Sequence, residues 1–152
     1  MKLAHTIKLS VFVNEGEEEA QILERMKSFL PLDFDIEKIT IQRQKATGLK
    51  ENKIIILTLN LEKEKHTNVF IETLINNLNQ KQREILLREA QSRLDNELNF
   101  YIRIDKKKLM EENKFYITDS GNCFHIKIHI AAFPKKREKA LEVIRRFLNK
   151  EF

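Results

Sequence analysis

The chain has 152 residues, 41% hydrophobic and 34% charged, a mixture that excludes a disordered polyelectrolyte and gives enough chain for one core. Its lone cysteine excludes an intrachain disulfide, and four scattered histidines form no Cys/His metal pattern. The formal charge of +5 is unevenly spread: residues 100–152 hold 13 Lys and Arg against 7 Asp and Glu, and residues 1–99 hold 15 against 16.

Residues 3–13 alternate, with Ile7, Leu9, Val11 and Val13 on one face and Lys8 and Ser10 on the other, which predicts a strand. Asn14, Glu15 and Gly16 make a turn. Glu17, Glu18 and Glu19 then suit the positive end of a helix whose apolar stripe is Ile22, Met26, Phe29 and Leu30, stopped by Pro31. Residues 36–45 predict a second strand through Ile39 and Ile41. The run KIIILTLNL at 53–61 is apolar on both faces, predicting a central strand covered on each side. Residues 67–95 are helical in pattern, with a break near Asn76-Asn77 and Asn79-Gln80. Residues 97–104 predict a strand with Phe100, Ile102 and Ile104 inward and Tyr101 and Arg103 outward, followed by a short connection at 105–112. Residues 115–118, the turn 119–122 and residues 123–132 read as a hairpin. Phe133-Pro134 then opens a helix whose apolar face is Ala140, Leu141, Ile144, Phe147 and Leu148, and Phe133 is expected to pack beneath it. The order β-α-β-β-α-α-β-β-β-α predicts one α+β domain, residues 1–152, with an antiparallel or mixed sheet and helices mainly on one face.

Catalytic patterns are absent. Glycines at 16, 48 and 121 are too far apart for a phosphate-cradling loop, and no serine lies in a nucleophile elbow. Cys123 falls in a predicted strand without a catalytic neighbour. His125 and His129 have the i, i+4 spacing of a metal pair, but on a strand they stand roughly 13 Å apart and cannot share an ion. No enzyme activity, metal or cofactor is expected. The first residues lack the unbroken apolar core of a leader, and no run approaches the ~18 apolar residues of a membrane span, so the expected location is cytoplasmic, with no membrane partner.

A polyanion-binding pattern is present. On 123–131 the residues His125, Lys127 and His129 alternate with Phe124, Ile126, Ile128 and Ile130, and Tyr101 and Arg103 lie outward on 97–104. Rings beside cations suit single-stranded RNA, because bases stack on rings while cations meet phosphates. Lys106, Lys107 and Lys108 extend this field. So do Lys135, Lys136 and Arg137, which crowd a helix N-terminus where cations are locally unfavourable, and Lys139 on the same helix. The candidate nucleic-acid-binding residues are therefore Tyr101, Arg103, Lys106, Lys107, Lys108, Lys127, Lys135, Lys136, Arg137 and Lys139, expected to form one continuous basic patch. Replacing Lys135, Lys136 and Arg137 by Gln should leave stability unchanged or slightly raised.

The run FYIRIDKKKL at 100–109, the segment TDSGNCFHIKIHIAAFP and the following KKREKALEV together resemble an archaeal family of small RNA-binding proteins described as predicted exosome subunits. The resemblance is most specific in Arg103-Ile104-Asp105-Lys106 and in residues 133–140. It implies a fold similar to the 5S-rRNA-binding protein of the large ribosomal subunit. It also implies RNA as partner, within a complex that processes or degrades RNA, and assigns no RNA-contact residues. Two other classes stay open: a homo-oligomeric (homodimeric) assembly protein without RNA affinity, and a metal-dependent nuclease whose carboxylates converge from several elements.

Overall fold

Strand-like alternation recurs along the chain, and in the computed structural model, which describes residues 1–152, five strands join one antiparallel sheet. β1 (Ala4–Val13) leads through α1 (Glu19–Lys27) and α2 (Phe34–Glu37) to β2 (Ile41–Thr47). A single 3-10 turn, Leu49–Glu51, then returns the chain into β3 (Lys53–Leu61). Three helices follow, α3 (Glu64–Asn77), α4 (Gln80–Arg88) and α5 (Ala90–Arg93). The chain ends with β4 (Asn99–Asp105), α6 (Lys106–Glu112), β5 (Cys123–Ile130) and α7 (Arg137–Leu148). The strand order is β2-β3-β1-β5-β4.

Alternation assigns each strand one buried face. Ile7, Leu9, Val11 and Val13 of β1 join Leu57, Leu59 and Leu61 of β3, Phe124, Ile126, Ile128 and Ile130 of β5, and Phe100, Ile102 and Ile104 of β4 in one apolar core. Helices close it from one side: α3 and α1 pack on β1, α7 on β5, and α5 and α6 on β4. Phe29 knits the layers together, stacked on Phe70 at 5.7 Å and set 5.4 Å from Phe124 and 4.9 Å from Phe115. Such aromatic contacts add to the burial that drives the core together. No helix is long and apolar enough to cross a membrane.

Several expectations are corrected, each for a local or packing reason. Residues 36–40 are not strand. The Asp33 carboxylate accepts a hydrogen bond from the Ile36 N–H at 3.0 Å and starts α2, which Lys38 ends in the left-handed region. Residues 106–112 are not a connection but α6, capped by Asp105 accepting from the Lys108 N–H at 2.9 Å and ended by Asn113 at φ 54°. Residues 115–118 form no hairpin with β5. Ile117 makes one isolated bridge to Ile104, while β5 runs between β1 and β4. β3 is covered on one side only, and its Ile54 and Ile56 are half-buried on the other. Phe133 is 78% exposed, because the space beneath α7 is filled by that helix's own apolar face, with Phe147 set 6.4 Å from Phe100. The peptide bond from Phe133 to Pro134 is cis, and α7 begins only at Arg137, after Lys136 in extended conformation.

Candidate nucleic-acid interface

With every helix on one side, the other face of the sheet stays uncovered. Its side chains follow from the strand registers. Ser10 stands opposite Thr58 on one side and His125 on the other, and His125 in turn faces Arg103. The next rung carries Asn60, Lys8, Lys127 and Tyr101. Beyond it lie Thr6, His129 and Asn99, and at the opposite end Phe12 pairs with Ile56.

Charge on this face is unbalanced. Lys8 is directly opposite Lys127, an arrangement that is destabilising across an antiparallel pair unless an anion lies over it. None of Lys8, Arg103 and Lys127 joins an ion pair. Arg103 donates one bond to the Asp119 carbonyl, at 3.2 Å, and keeps its remaining donors. His125 sits in the field of these cations. Burial first, then the charges of Arg103, Lys8 and Lys127, hold its imidazole below the ordinary histidine range.

Tyr101 is fixed at the side of this field. Its hydroxyl donates to Asp95 Oδ2 at 2.9 Å, and its ring lies 6.0 Å from that of His125. Burial, then the bond to the Asp95 carboxylate, pushes the Tyr101 hydroxyl up. For Asp95, burial works in the opposite direction to its bonds from Asn99, Tyr101 and Glu97, and the bonds prevail, holding the carboxyl low.

Two cleft-like depressions open on the face. Ser10, Phe12, Arg103, Gly121, Cys123 and His125 border one of about 310 Å³. Thr6, Lys8, Asn60, Glu62 and Lys127 border a second, of about 250 Å³. No group of three or more His, Cys, Asp and Glu is arranged to hold a metal ion.

The ten sequence candidates divide in this structure. Tyr101, Arg103 and Lys127 share the uncovered face. Lys107 is exposed on α6, while Lys108 is ion-paired with Glu112 at 3.5 Å and lies 5.0 Å over the Tyr116 ring. Lys135 and Lys136 are exposed ahead of α7, and Lys139 pairs with Glu142 at 3.4 Å. Lys106 is corrected: it is 2% exposed, and its ammonium donates to the Phe12 carbonyl at 2.6 Å and to Glu17 Oε1 at 2.7 Å. Arg137 is corrected as well. Its guanidinium donates to the carbonyls of Gln91 in α5 and of Leu94 and Asp95 just after it. The structure therefore does not support the expectation that neutralising 135–137 leaves stability untouched. Nor are the two lysine clusters adjacent. Lys106 follows the end of β4 that pairs with Cys123, and residues 135–137 lie beyond its other end, where Asn99 pairs with His129.

Sequence reasoning passed over Lys8 and Phe12. Both alternate outward in β1 as Lys127 does in β5, and that alternation was readable. Their neighbours on β5 and β3 were not.

A model of a family described as RNA binding matches residues 6–130. An RNA-binding protein of Pyrococcus abyssi is 26% identical over 149 residues, which cover 97% of this chain and 96% of that protein. An uncharacterised protein of Methanocaldococcus jannaschii is 27% identical over 150 residues, covering 93% and 96%. Among solved structures, a protein from Archaeoglobus fulgidus superposes with a TM-score of 0.81 at 25% identity, over 95% of this chain and 99% of that one. A Methanothermobacter thermautotrophicus protein superposes with a TM-score of 0.75 at 28% identity, over 96% and 98%.

Proposed function

Because the chain belongs to the RNA-binding family whose model spans its residues 6–130, we propose that it binds RNA across the uncovered face of its sheet, mainly through phosphates. One observation carries this reading: Lys8 opposite Lys127, with Arg103 one rung away and no acid paired to any of the three. Such a cluster is relieved by a polyanion laid over it. Lys135, Lys136 and Lys139 at one end, and Lys107 and Lys108 at the other, extend the surface that phosphates meet.

The role we assign is that of a non-catalytic accessory to RNA processing or degradation. Its support is the resemblance of residues 100–109 and 133–140 to the predicted exosome subunits, and the same resemblance supports a kinship with the 5S-rRNA-binding ribosomal fold. RNA should stay intact when incubated with the protein and magnesium; its metal-dependent loss would establish the nuclease reading instead.

The test is filter binding at a series of salt concentrations. With about four to six cations on single-stranded phosphates, log affinity should fall against log salt with a slope of roughly −3 to −4. Replacing Lys8, Arg103 and Lys127 together by Gln should flatten that slope by about 2. An affinity that does not change with salt would remove the phosphate mechanism.

A further inference from the structure

The uncovered face carries more than charge. Phe12 points outward from β1 and is 51% exposed, at the mouth of the cleft bordered by Ser10, Arg103 and His125. At the other end of β1 a bulge between Ala4 and Thr6 inserts His5 as an extra residue. The His5 ring lies 5.2 Å from that of His129 and 5.8 Å, edge-on, from Phe133, which is 78% exposed. Two large apolar rings are thus left in water at the two ends of one strand, although full burial of such a side chain is worth roughly 1.5–3 kcal/mol. Between them lie Lys8 and Lys127. From His5 to Phe12 is seven residues of strand, roughly 23 Å.

Resting on the RNA reading above and narrowing it, we infer that this face takes single-stranded RNA. The strand runs along the β1–β5 ladder with one base stacked on Phe12 and another on the His5, His129 and Phe133 cluster, while the phosphates between them meet Lys8, Lys127 and Arg103. The aromatic ends decide between single strand and duplex. An A-form duplex keeps its bases paired inside and offers only phosphates and 2′-hydroxyls, which have no use for an exposed phenyl ring. An unpaired strand presents its base faces, and every base stacks, so binding of this kind tolerates many sequences. The span between the rings suits about four to six nucleotides, at the short end of single-strand site sizes.

Fluorescence anisotropy with labelled single-stranded RNA of two to twelve nucleotides, and with a blunt RNA duplex, tests this on the full chain. The variants are Phe12→Ala, Phe133→Ala and the pair Lys8→Gln/Lys127→Gln, each checked by its urea midpoint to be fully folded under the binding conditions. Single strands should bind more tightly than duplex, with affinity levelling off near six nucleotides. Each Phe→Ala change should weaken single-strand binding about 5- to 150-fold and leave the salt slope and duplex affinity as they were. The lysine pair should weaken both substrates and flatten the slope. The chain has no tryptophan, so Phe12→Trp introduces its sole indole, whose emission should be quenched by single strands and not by duplex. If both alanine variants bind single strands as the parent does, or duplex is preferred, the inference is overturned while the RNA reading stands. If the parent binds no RNA, the reading beneath it falls instead.

Discussion

Replacing Lys106 by Met separates a buried strut from an RNA contact. The methionine keeps an unbranched apolar stem in the same space and removes two bonds, at 2.6 Å to the Phe12 carbonyl and 2.7 Å to Glu17 Oε1. Hydrogen bonds to a charged group are worth about 1.5–3 kcal/mol each, so the pair accounts for about 3–6 kcal/mol before relaxation. The Glu17 side chain is 35% exposed and regains water when its partner goes, which removes roughly half of its share. The expected loss is then about 2–4 kcal/mol, seen as a urea midpoint lower by about 1–2 M. The pH dependence gives an independent check. Burial raises the Glu17 carboxyl, but the bonds from Lys106 and from the Asn14 N–H outweigh it and hold the group below the usual glutamate range. A carboxyl depressed by folding contributes stability above its unfolded pKa and loses that contribution as pH falls through its lowered folded value. The variant should therefore lose less stability than the parent across that acid range. Bound at a temperature where both are folded, RNA should not distinguish the two proteins. An unchanged urea midpoint together with weakened RNA binding would refute the strut and restore Lys106 to the interface.

Arg137→Gln should cost about 1.5–3 kcal/mol in chemical denaturation, since it releases the carbonyls at the end of α5, whereas Lys135→Gln/Lys136→Gln should stay within about 0.5 kcal/mol of the parent. Phe133→Ala should likewise shift stability by no more than about 0.5 kcal/mol, because its ring is exposed; a loss of several kcal/mol would show that it packs in solution. Lys8→Gln should raise stability by about 0.2–1 kcal/mol at low salt by relieving its opposition to Lys127, and lower RNA affinity in the same buffer. A drop in both quantities would mean that Lys8 is held by a favourable partner.

The strands β1, β3, β4 and β5 were legible because a residue's side of a strand is set by its own period of two, a property each segment carries alone. The break between α3 and α4 was legible for a similar reason: Asn79 accepts from the Gln82 N–H at 2.9 Å, a cap that acts over three residues. The same short-range chemistry at Asp33 and Asp105 was overlooked in favour of alternation and of charge, and α2 and α6 were missed with it. No local pattern distinguishes Lys106 from Lys107. One side chain reaches across to β1 because α6 packs beside the α1 entry, and the other faces solvent.

What the amino-acid sequence determined by itself was the α+β character, the apolar set that forms the core and the excess of cations in the last third of the chain. The tertiary structure alone decided which strands became neighbours, and so which cations face each other. Lys8 and Lys127 lie 119 positions apart and became opposed because β5 inserts between β1 and β4. It also decided which sheet face stayed bare, since helices packed on the apolar side leave Thr6, Lys8, Phe12, Asn60 and Arg103 exposed on the other. Alternation is a short-range property of each segment. Pairing and coverage are long-range choices made by the burial of the whole core.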